Sequence, residues 1–373
     1  MERRMLIAGG GTGGHLFPGM AVAEEFVSRG PGHRVLFIGT ARGLEARLVP
    51  EAGYEFAAIR SRGIAGMGVM GRIKGLLVVP LSVVDAARVV RRFRPHVALG
   101  VGGYVSGPAI LAARLLGVPA AIQEQNTVPG AANRILARIA GLVFVAFEPA
   151  RKWFRAADKK GRVVVTGNPV RKKIVDALLA GKGGEERVRD AALGKARLLI
   201  VGGSQGAHGL NTLAMEAMAA LGAEERGKLR VRHQSGDKDR EMVQARYREF
   251  GVEATVEPFL SDMAAAYQDA DLAISRAGAG AVAEIALAGL PSILVPFPYA
   301  ASDHQAVNAS VLVDAGAAVM FREAETDGEK MARAIAGIVN DPERRRGMAQ
   351  RARSAARPDA ARQIVDRCLE MIH

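Results

Sequence analysis

Two stretches of this chain each run from a short apolar strand straight into a glycine-rich turn and then a helical pattern. Met5-Leu6-Ile7-Ala8 leads into Gly9-Gly10-Gly11-Thr12-Gly13-Gly14-His15, and Leu198-Leu199-Ile200-Val201 leads into Gly202-Gly203-Ser204-Gln205-Gly206-Ala207. A turn of this kind presents bare backbone N–H groups at a helix N-terminus, where the helix dipole favours an anionic group. Its occurrence near the start of each half predicts two nucleotide-binding-type domains that face a shared cleft. His15, at the end of the first turn, is a titratable group placed where a ligand of the second domain could react.

The 373 residues suffice for two domains with full cores. Apolar strands alternate with helical patterns throughout, which predicts parallel βαβ units. The candidate strands of the first half are Met5–Ala8, Val35–Ile38, Phe56–Ile59, Val97–Gly100, Ala120–Gln123, Leu142–Ala146 and Val163–Thr166. Those of the second half are Leu198–Val201, Leu229–Gln234, Ala254–Glu257, Leu272–Ser275, Ser292–Val295 and Ala318–Phe321. Gly167-Asn168-Pro169-Val170 closes the first half, so the boundary is placed there, between residues 1–167 and 168–357.

The net charge of +13 calls for an anionic partner, either nucleic acid, a membrane surface or a phosphorylated substrate. With aromatic residues at 5% and no RNA-binding signature, zinc-ligand pairs or basic zipper, nucleic acid is excluded as the main partner. The single cysteine, Cys368, allows no internal disulfide and fits a reducing cytoplasmic setting. The apolar run behind Met1-Glu2-Arg3-Arg4 stops after Ala8, too short for a secretory signal. The uncharged stretches Pro95–Ala113 and Ile285–Ser302 carry glycine or proline punctuation and read as buried α/β core, not as membrane spans.

Between Arg72 and Pro95 the pattern changes. Leu76, Leu77, Val79, Leu81 and Val84 are followed by Arg88, Arg91, Arg92 and Arg94. An apolar patch rimmed by cations suits shallow insertion into an anionic bilayer, and a core-facing helix with a solvated basic face fits equally. Pro80 predicts a short helix or loop leading into a second helix.

Gly9, Gly11 and Gly14 satisfy the dinucleotide spacing G-x-G-x-x-G, but that fingerprint also needs an acid closing the second strand to hold the ribose. Here the strand ends Phe37-Ile38-Gly39-Thr40 and the next acid, Glu45, lies beyond it, which disfavours a nicotinamide dehydrogenase. A third turn, Gly100–Gly107, and the run Gln123-Glu124-Gln125-Asn126 follow other first-half strands. In the second half, Ser275-Arg276-Ala277-Gly278-Ala279-Gly280 turns from strand to helix with Glu284 soon after, and Asp303-His304-Gln305 follows the next strand. A helix N-terminus can cradle a diphosphate, and a nearby carboxylate can accept both hydrogens of a ribose diol. The pairs Asp237-Lys238-Asp239 and Asp269-Ala270-Asp271 match the D-x-D pattern but read as turn residues or caps, so no metal site and no cofactor is predicted.

Taken in order, these loops resemble the bacterial MurG family of N-acetylglucosaminyltransferases. The matching runs are Gly10–His15, Gly102–Pro108, Glu124-Gln125-Asn126, Gly167–Arg171, Gly202–Ala207 and Asp303-His304-Gln305 with Asn308. The resemblance implies a GT-B fold, an α/β architecture of two Rossmann-like domains around a central cleft, with a last helix at 358–373 packing back on the first domain. It implies that the second domain binds UDP-N-acetylglucosamine through Arg171, Ser204, Gln205, Leu260, Ala279, Gly280, Ala281, Val282, Ala283, Glu284 and Gln305. Thr12, Gly13, Gly14 and Asn126 match donor positions reached across the cleft. The turn bearing Gly103, Tyr104 and Ser106 falls to the acceptor, an undecaprenyl-diphospho-N-acetylmuramoyl-pentapeptide on the cytoplasmic face of the membrane. That in turn favours the membrane reading of Leu76, Leu77, Leu81, Arg88, Arg91 and Arg92. The family inverts the anomeric centre, so a base must take the attacking hydroxyl proton. His15 is the candidate base and Glu124 the reserve; an alternative role for His15 is to order the loop or bind acceptor phosphate. Gln123 stands where some relatives carry histidine. The competing functions are a sugar-nucleotide epimerase or hydrolase of the same fold, or a membrane-surface module without catalysis.

Overall fold

The computed structural model describes residues 2–61, 69–181, 194–203 and 206–372, with side chains in the helix Val69–Phe93 described from residue 79 onward. The chain forms two compact units, the first made of Met1–Lys172 and Arg357–His373, the second of Lys173–Ala356. The division falls after Lys172 rather than at Gly167, which leaves Arg171 with the first unit.

In the first unit, β1 (Arg4–Ala8), β2 (Arg34–Gly39), β3 (Glu55–Ala58), β4 (Val97–Gly100), β5 (Ala120–Glu124), β6 (Leu142–Val145) and β7 (Val163–Val165) form a parallel sheet in the order β3-β2-β1-β4-β5-β6-β7. Register places Ile7 beside Phe37 on one side and Leu99 on the other. Successive side chains of a strand point to opposite faces. Accordingly Leu6, Ala8, Leu36, Ile38 and Ala98 pack on one face under the helix Ser106–Leu115. Met5, Ile7, Val35, Phe37 and Leu99 pack on the other with Leu16, Val22 and Phe26 of the helix Gly13–Ser28. The last helix, Ala360–Glu370, adds Ile364, Val365 and Cys368 to this second layer, and Asp366 pairs with Arg29 at 2.7 Å. Burial pushes the Cys368 thiol up to about 12, so it is an inert core group.

In the second unit, β8 (Ala196–Val201), β9 (Leu229–Gln234), β10 (Glu253–Glu257), β11 (Leu272–Ser275), β12 (Ser292–Leu294) and β13 (Ala318–Met320) form a parallel sheet in the order β10-β9-β8-β11-β12-β13. Each strand expected from sequence overlaps one of these thirteen described strands. In both sheets the chain builds outward from its first strand and then jumps back beside it, at β1/β4 and at β8/β11. Open parallel sheets hold ligands at the carboxyl ends of their strands at such a reversal.

Pro80 does not divide a helix, contrary to expectation: Val69–Phe93 is continuous through it. Pro80 is exposed, whereas Ser82, Ala86 and Val90 behind it are buried and Ser82 donates to the Arg60 carbonyl. Packing of the flanking turns outweighs the one backbone bond that proline removes. None of the described helices is long and apolar enough to cross a membrane.

Candidate functional site

At the β1/β4 reversal the turns Gly9–Thr12 and Val101–Val105 lie against each other. Gly103 adopts φ +78°, and a Cβ there would stand 2.6 Å from the Gly10 carbonyl oxygen, so only glycine fits. Thr12 is the N-cap of the helix Gly13–Ser28, yet its hydroxyl does not cap the helix; it meets His15 Nδ1 at 3.2 Å. The imidazole lies over Gly102, where a Cβ would come within 2.5 Å of His15 Cδ2. The second turn thus carves out the space for His15 and the first turn holds its ring edge. Thr12 and Gly14 are exposed, and Tyr104 stands partly exposed on the second turn.

Ser106 is fully buried, and its hydroxyl is committed to Gly102 N at 3.0 Å, the Ala8 carbonyl at 2.6 Å and the Gly102 carbonyl at 2.7 Å. Its work is to hold the turn that carries Gly103 and Tyr104. Glu124 is buried too: Oε1 accepts from Asn126 N at 3.0 Å, and Oε2 accepts from Gly130 N at 3.2 Å and Asn133 Nδ2 at 2.8 Å. Burial pushes its carboxyl above the usual range, and these donors only partly offset that. The geometry makes Glu124 the organiser of the loop 124–130. Gln123 hydrogen-bonds Asn168 Oδ1 at 3.3 Å and Gln125 in the interior, away from any surface a ligand could reach.

At the β8/β11 reversal the turn after β8 is tied down by Gln234 Nε2, which donates to the Gly203 carbonyl at 3.1 Å. Ser204 and Gln205 lie outside the described residues. The following helix, His208–Ala220, is anchored by a buried network. Asn211 Nδ2 donates to the Ser235 carbonyl and Asp239 Oδ2, both at 2.8 Å, so its Oδ1 accepts from His233 Nε2–H at 3.0 Å. His233 Nδ1 then accepts from Tyr247 at 2.9 Å, and burial pushes the His233 imidazole down to about 3, which keeps it neutral.

The helix Ala279–Ala288 starts at Gly278 without a side-chain cap and with no acid in its first turn. Its first N–H groups therefore have no side-chain acceptor from the cap residue, an arrangement suited to a phosphate. Ala279 and Val282 are buried; Gly280, Ala281 and Ala283 are half-buried. Glu284 accepts a 3.1 Å bond from Tyr267, whose hydroxyl burial holds protonated well above its ordinary range. Leu260 is buried on the loop after β10. Gln305 Oε1 accepts from Phe297 N at 2.9 Å and so shapes the loop after β12. That loop contains Ser302 and Asp303 at φ +54° and +51°, strained values for non-glycine residues that tend to occur at functional sites.

Both D-x-D pairs have structural work. Asp239 contacts His208 and Asn211, while Asp269 and Asp271 flank the buried Arg197. Among the described residues no cluster of His, Cys, Asp and Glu could hold a metal ion.

Residues 5–145 match the model of the glycosyltransferase family 28 N-terminal domain, and residues 197–364 match that of its C-terminal domain. A protein of Myxococcus xanthus (strain DK1622), named UDP-N-acetylglucosamine--N-acetylmuramyl-(pentapeptide) pyrophosphoryl-undecaprenol N-acetylglucosamine transferase, is 45% identical over 369 residues, 99% of this chain and 93% of that one. The crystal structure of Acinetobacter baumannii MurG is similar at TM-score 0.78 and 32% identity, covering 99% of each chain. The chain belongs to the MurG family of glycosyltransferases. Its GT-B fold is shared more widely: a UDP-GlcNAc 2-epimerase from Neisseria meningitidis bound to UDP-GlcNAc reaches TM-score 0.66 over 99% of this chain and 100% of that one. At 14% identity that likeness is one of fold alone.

Within this MurG-family chain, several residues of evident weight escape sequence reasoning. Arg276 is buried with its guanidinium on the Val295 and Pro296 carbonyls, at 3.2 and 3.1 Å, and on Glu323 Oε2 at 2.6 Å. It ties the turn after β11 to the loops after β12 and β13, a role visible only once the strands are side by side. Arg171 stacks on Phe17, 5.0 Å from the ring centre, within the first unit. On the first unit's surface Leu81 is 47% exposed and Leu115, on the adjoining helix Ser106–Leu115, is 72% exposed. Val84, Leu111, Ile135, Ile139 and Trp153 are exposed apolar residues of the same unit, and Arg88, Arg91 and Arg92 are exposed cations. Leu76 and Leu77 fall in the helix Val69–Phe93, but their side chains lie outside those described.

Proposed function

We propose that this chain moves N-acetylglucosamine from UDP-N-acetylglucosamine to the 4-hydroxyl of N-acetylmuramic acid in undecaprenyl-diphospho-MurNAc-pentapeptide, completing lipid II for peptidoglycan. The carrying observation is 45% identity over 99% of the chain to a transferase of that name. The described residues of the loops at both strand reversals support the same reading. In a single displacement the acceptor 4-oxygen attacks the anomeric carbon of the α-linked sugar from the face opposite the diphosphate. A β-1,4 bond forms, UDP leaves with the bonding pair, and the hydroxyl proton passes to His15. The second unit binds the donor: the N-terminus of Ala279–Ala288 faces the diphosphate, Glu284 accepts from the ribose hydroxyls, and the Leu260 backbone meets the uracil. Thr12, Gly13, Gly14 and Asn126 complete the donor site, and Gly103 and Tyr104 contact the acceptor. Ser106 and Glu124 hold the loops that these residues occupy.

Incubation of the purified protein with labelled UDP-N-acetylglucosamine and a lipid I analogue tests this. UDP release that depends on the acceptor, with label in the lipid, is the expected result. Release of free sugar without acceptor would point to an epimerase or hydrolase, and no turnover would leave only a binding module.

The acceptor's undecaprenyl tail places the work at a bilayer, and we assign the first unit to the cytoplasmic face of the plasma membrane as a peripheral protein. Leu81, Val84 and Leu115 supply apolar contact, and Arg88, Arg91 and Arg92 supply attraction to anionic lipid. Burying a leucine side chain is worth about 1.5–3 kcal/mol. The double variant Leu81→Glu, Leu115→Glu is therefore expected to weaken co-sedimentation with anionic vesicles by about 10-fold or more, with turnover on a short-chain soluble acceptor unchanged. Equal binding by variant and parent would remove this face from the proposal.

A further inference from the structure

Glu45 lies outside every motif of the chain, yet it is fully buried at the heart of the first glycine turn. Its Oε2 accepts from Gly11 N at 3.0 Å, and its Oε1 accepts from Thr40 N at 2.9 Å and Thr40 Oγ1 at 3.0 Å. Three glycines leave room for it: a Cβ at Gly10, Gly39 or Gly43 would come within 2.3, 2.3 and 2.1 Å of the side chain. Burial alone would raise its carboxyl; the N–H groups of Thr40 and Gly11 outweigh that and hold it below the usual range, so it is an anion at neutral pH. A nucleotide-binding turn of this type uses such N–H groups for a ligand phosphate. Here the protein supplies the anion itself.

We propose that Glu45 is a positioning residue of the transfer reaction, a built-in anion that fixes the first glycine turn, and through it Thr12 and His15, while denying that turn to phosphate. The proposal rests on the reading of His15 as base. Gly11 is directly followed by Thr12, whose hydroxyl meets His15 Nδ1, so the Glu45–Gly11 bond lies one residue from the group that orients the imidazole. The inner face of the turn is filled by a carboxylate, which explains why a G-x-G-x-x-G spacing here does not make a dinucleotide phosphate site. Glu45→Gln keeps the volume but aims an amide N–H at either Gly11 N–H or Thr40 N–H, donor against donor.

The full-length Glu45→Gln and Glu45→Ala proteins test this in the lipid I assay. A displacement of about 1 Å at a catalytic group can lower turnover about 100-fold. For Glu45→Gln we expect kcat about 10-fold lower, KM for UDP-N-acetylglucosamine within about twofold of the parent, and faster hydrogen exchange at the Gly11 amide. For Glu45→Ala, sodium formate but not sodium chloride should restore part of the lost turnover, and inorganic phosphate should oppose the rescue. His15→Ala should show no rescue. Parental kcat in a folded Glu45→Gln protein overturns the proposal, as does a folded Glu45→Ala protein that is indifferent to formate. Should Glu45→Ala fail to fold, Glu45→Gln decides alone. A parent without transferase activity would strike at the functional reading instead, and Gly11 exchange in Glu45→Gln would still decide whether Glu45 holds the turn.

Discussion

Replacing His15 by alanine is expected to lower turnover by about 10²–10⁴-fold, the span typical of a lost general base, while UDP binding stays within about twofold of the parent. The separation follows from where the parts sit. His15 belongs to the first unit, whereas Glu284 and the N-terminus of Ala279–Ala288 belong to the second. Removing the imidazole also removes its contact with Thr12, but the turn keeps its Glu45–Gly11 bond and its contact with Gly103. Loss of kcat therefore reports on the imidazole itself. The measurement is single-turnover transfer to a lipid I analogue beside isothermal titration with UDP. Near-normal turnover would sink the base assignment, and a matching loss of UDP affinity would make His15 a donor-site residue. A second variant, His15→Gln, can still hydrogen-bond Thr12 but is a poor base. It should be as slow as alanine if proton transfer is the role, and close to the parent if ordering the loop is.

Both sheets were legible in the sequence because buried parallel strands read as short apolar runs bounded by turn residues, such as Met5–Ala8 before Gly9 and Leu272–Ser275 before Arg276. The turns at the two reversals were legible for a related reason: glycine is required where one backbone passes close to another, as Gly103 does over Gly10. Side chains that act across the sheet were not. Glu45 reads only as an acid lying beyond the second strand, too late to hold a ribose, until the fold brings it beneath Gly10 and Gly11. Tyr267 belongs to no motif of the chain, and its bond to Glu284 emerges only in the fold. Pro80 misled in the other direction, since local chemistry argued for a break that tertiary packing of Ser82, Ala86 and Val90 overrides. Exposure is equally hidden in sequence: Leu111 sits in the stretch Pro95–Ala113, which reads as core, yet faces solvent. Periodicity tells which residues can be buried together; it does not tell which helix face another helix will cover.

Glu284→Ala is expected to weaken binding of UDP and its sugar by about 100-fold, with a smaller change in kcat. Hydrogen bonds to a charged group are worth about 1.5–3 kcal/mol each, and a ribose diol makes two with one carboxylate. On the proposed reading the carboxylate must be aimed to collect both, a task that would fall to Tyr267, whose hydroxyl donates to it at 3.1 Å. Tyr267 is 2% exposed, and burial and then the neighbouring Glu284 carboxylate keep its hydroxyl protonated well beyond neutral pH, so it remains a donor to Glu284 Oε2. Tyr267→Phe leaves the ring and its packing in place and removes only that donor. It should raise KM for the donor sugar by about 3–10-fold, about 1 kcal/mol of ribose binding lost through misalignment of the carboxylate, and leave kcat near the parent value. The two effects should not add: in the Glu284→Ala background, Tyr267→Phe has nothing left to aim and should be silent. Binding of 2′,3′-dideoxy-UDP gives the matching control, because a ligand without the diol should bind Glu284→Ala and the parent alike. Full additivity of the two substitutions would separate Tyr267 from the ribose. Unchanged UDP affinity in Glu284→Ala would move the ribose away from this helix and leave its N-terminus to the diphosphate alone.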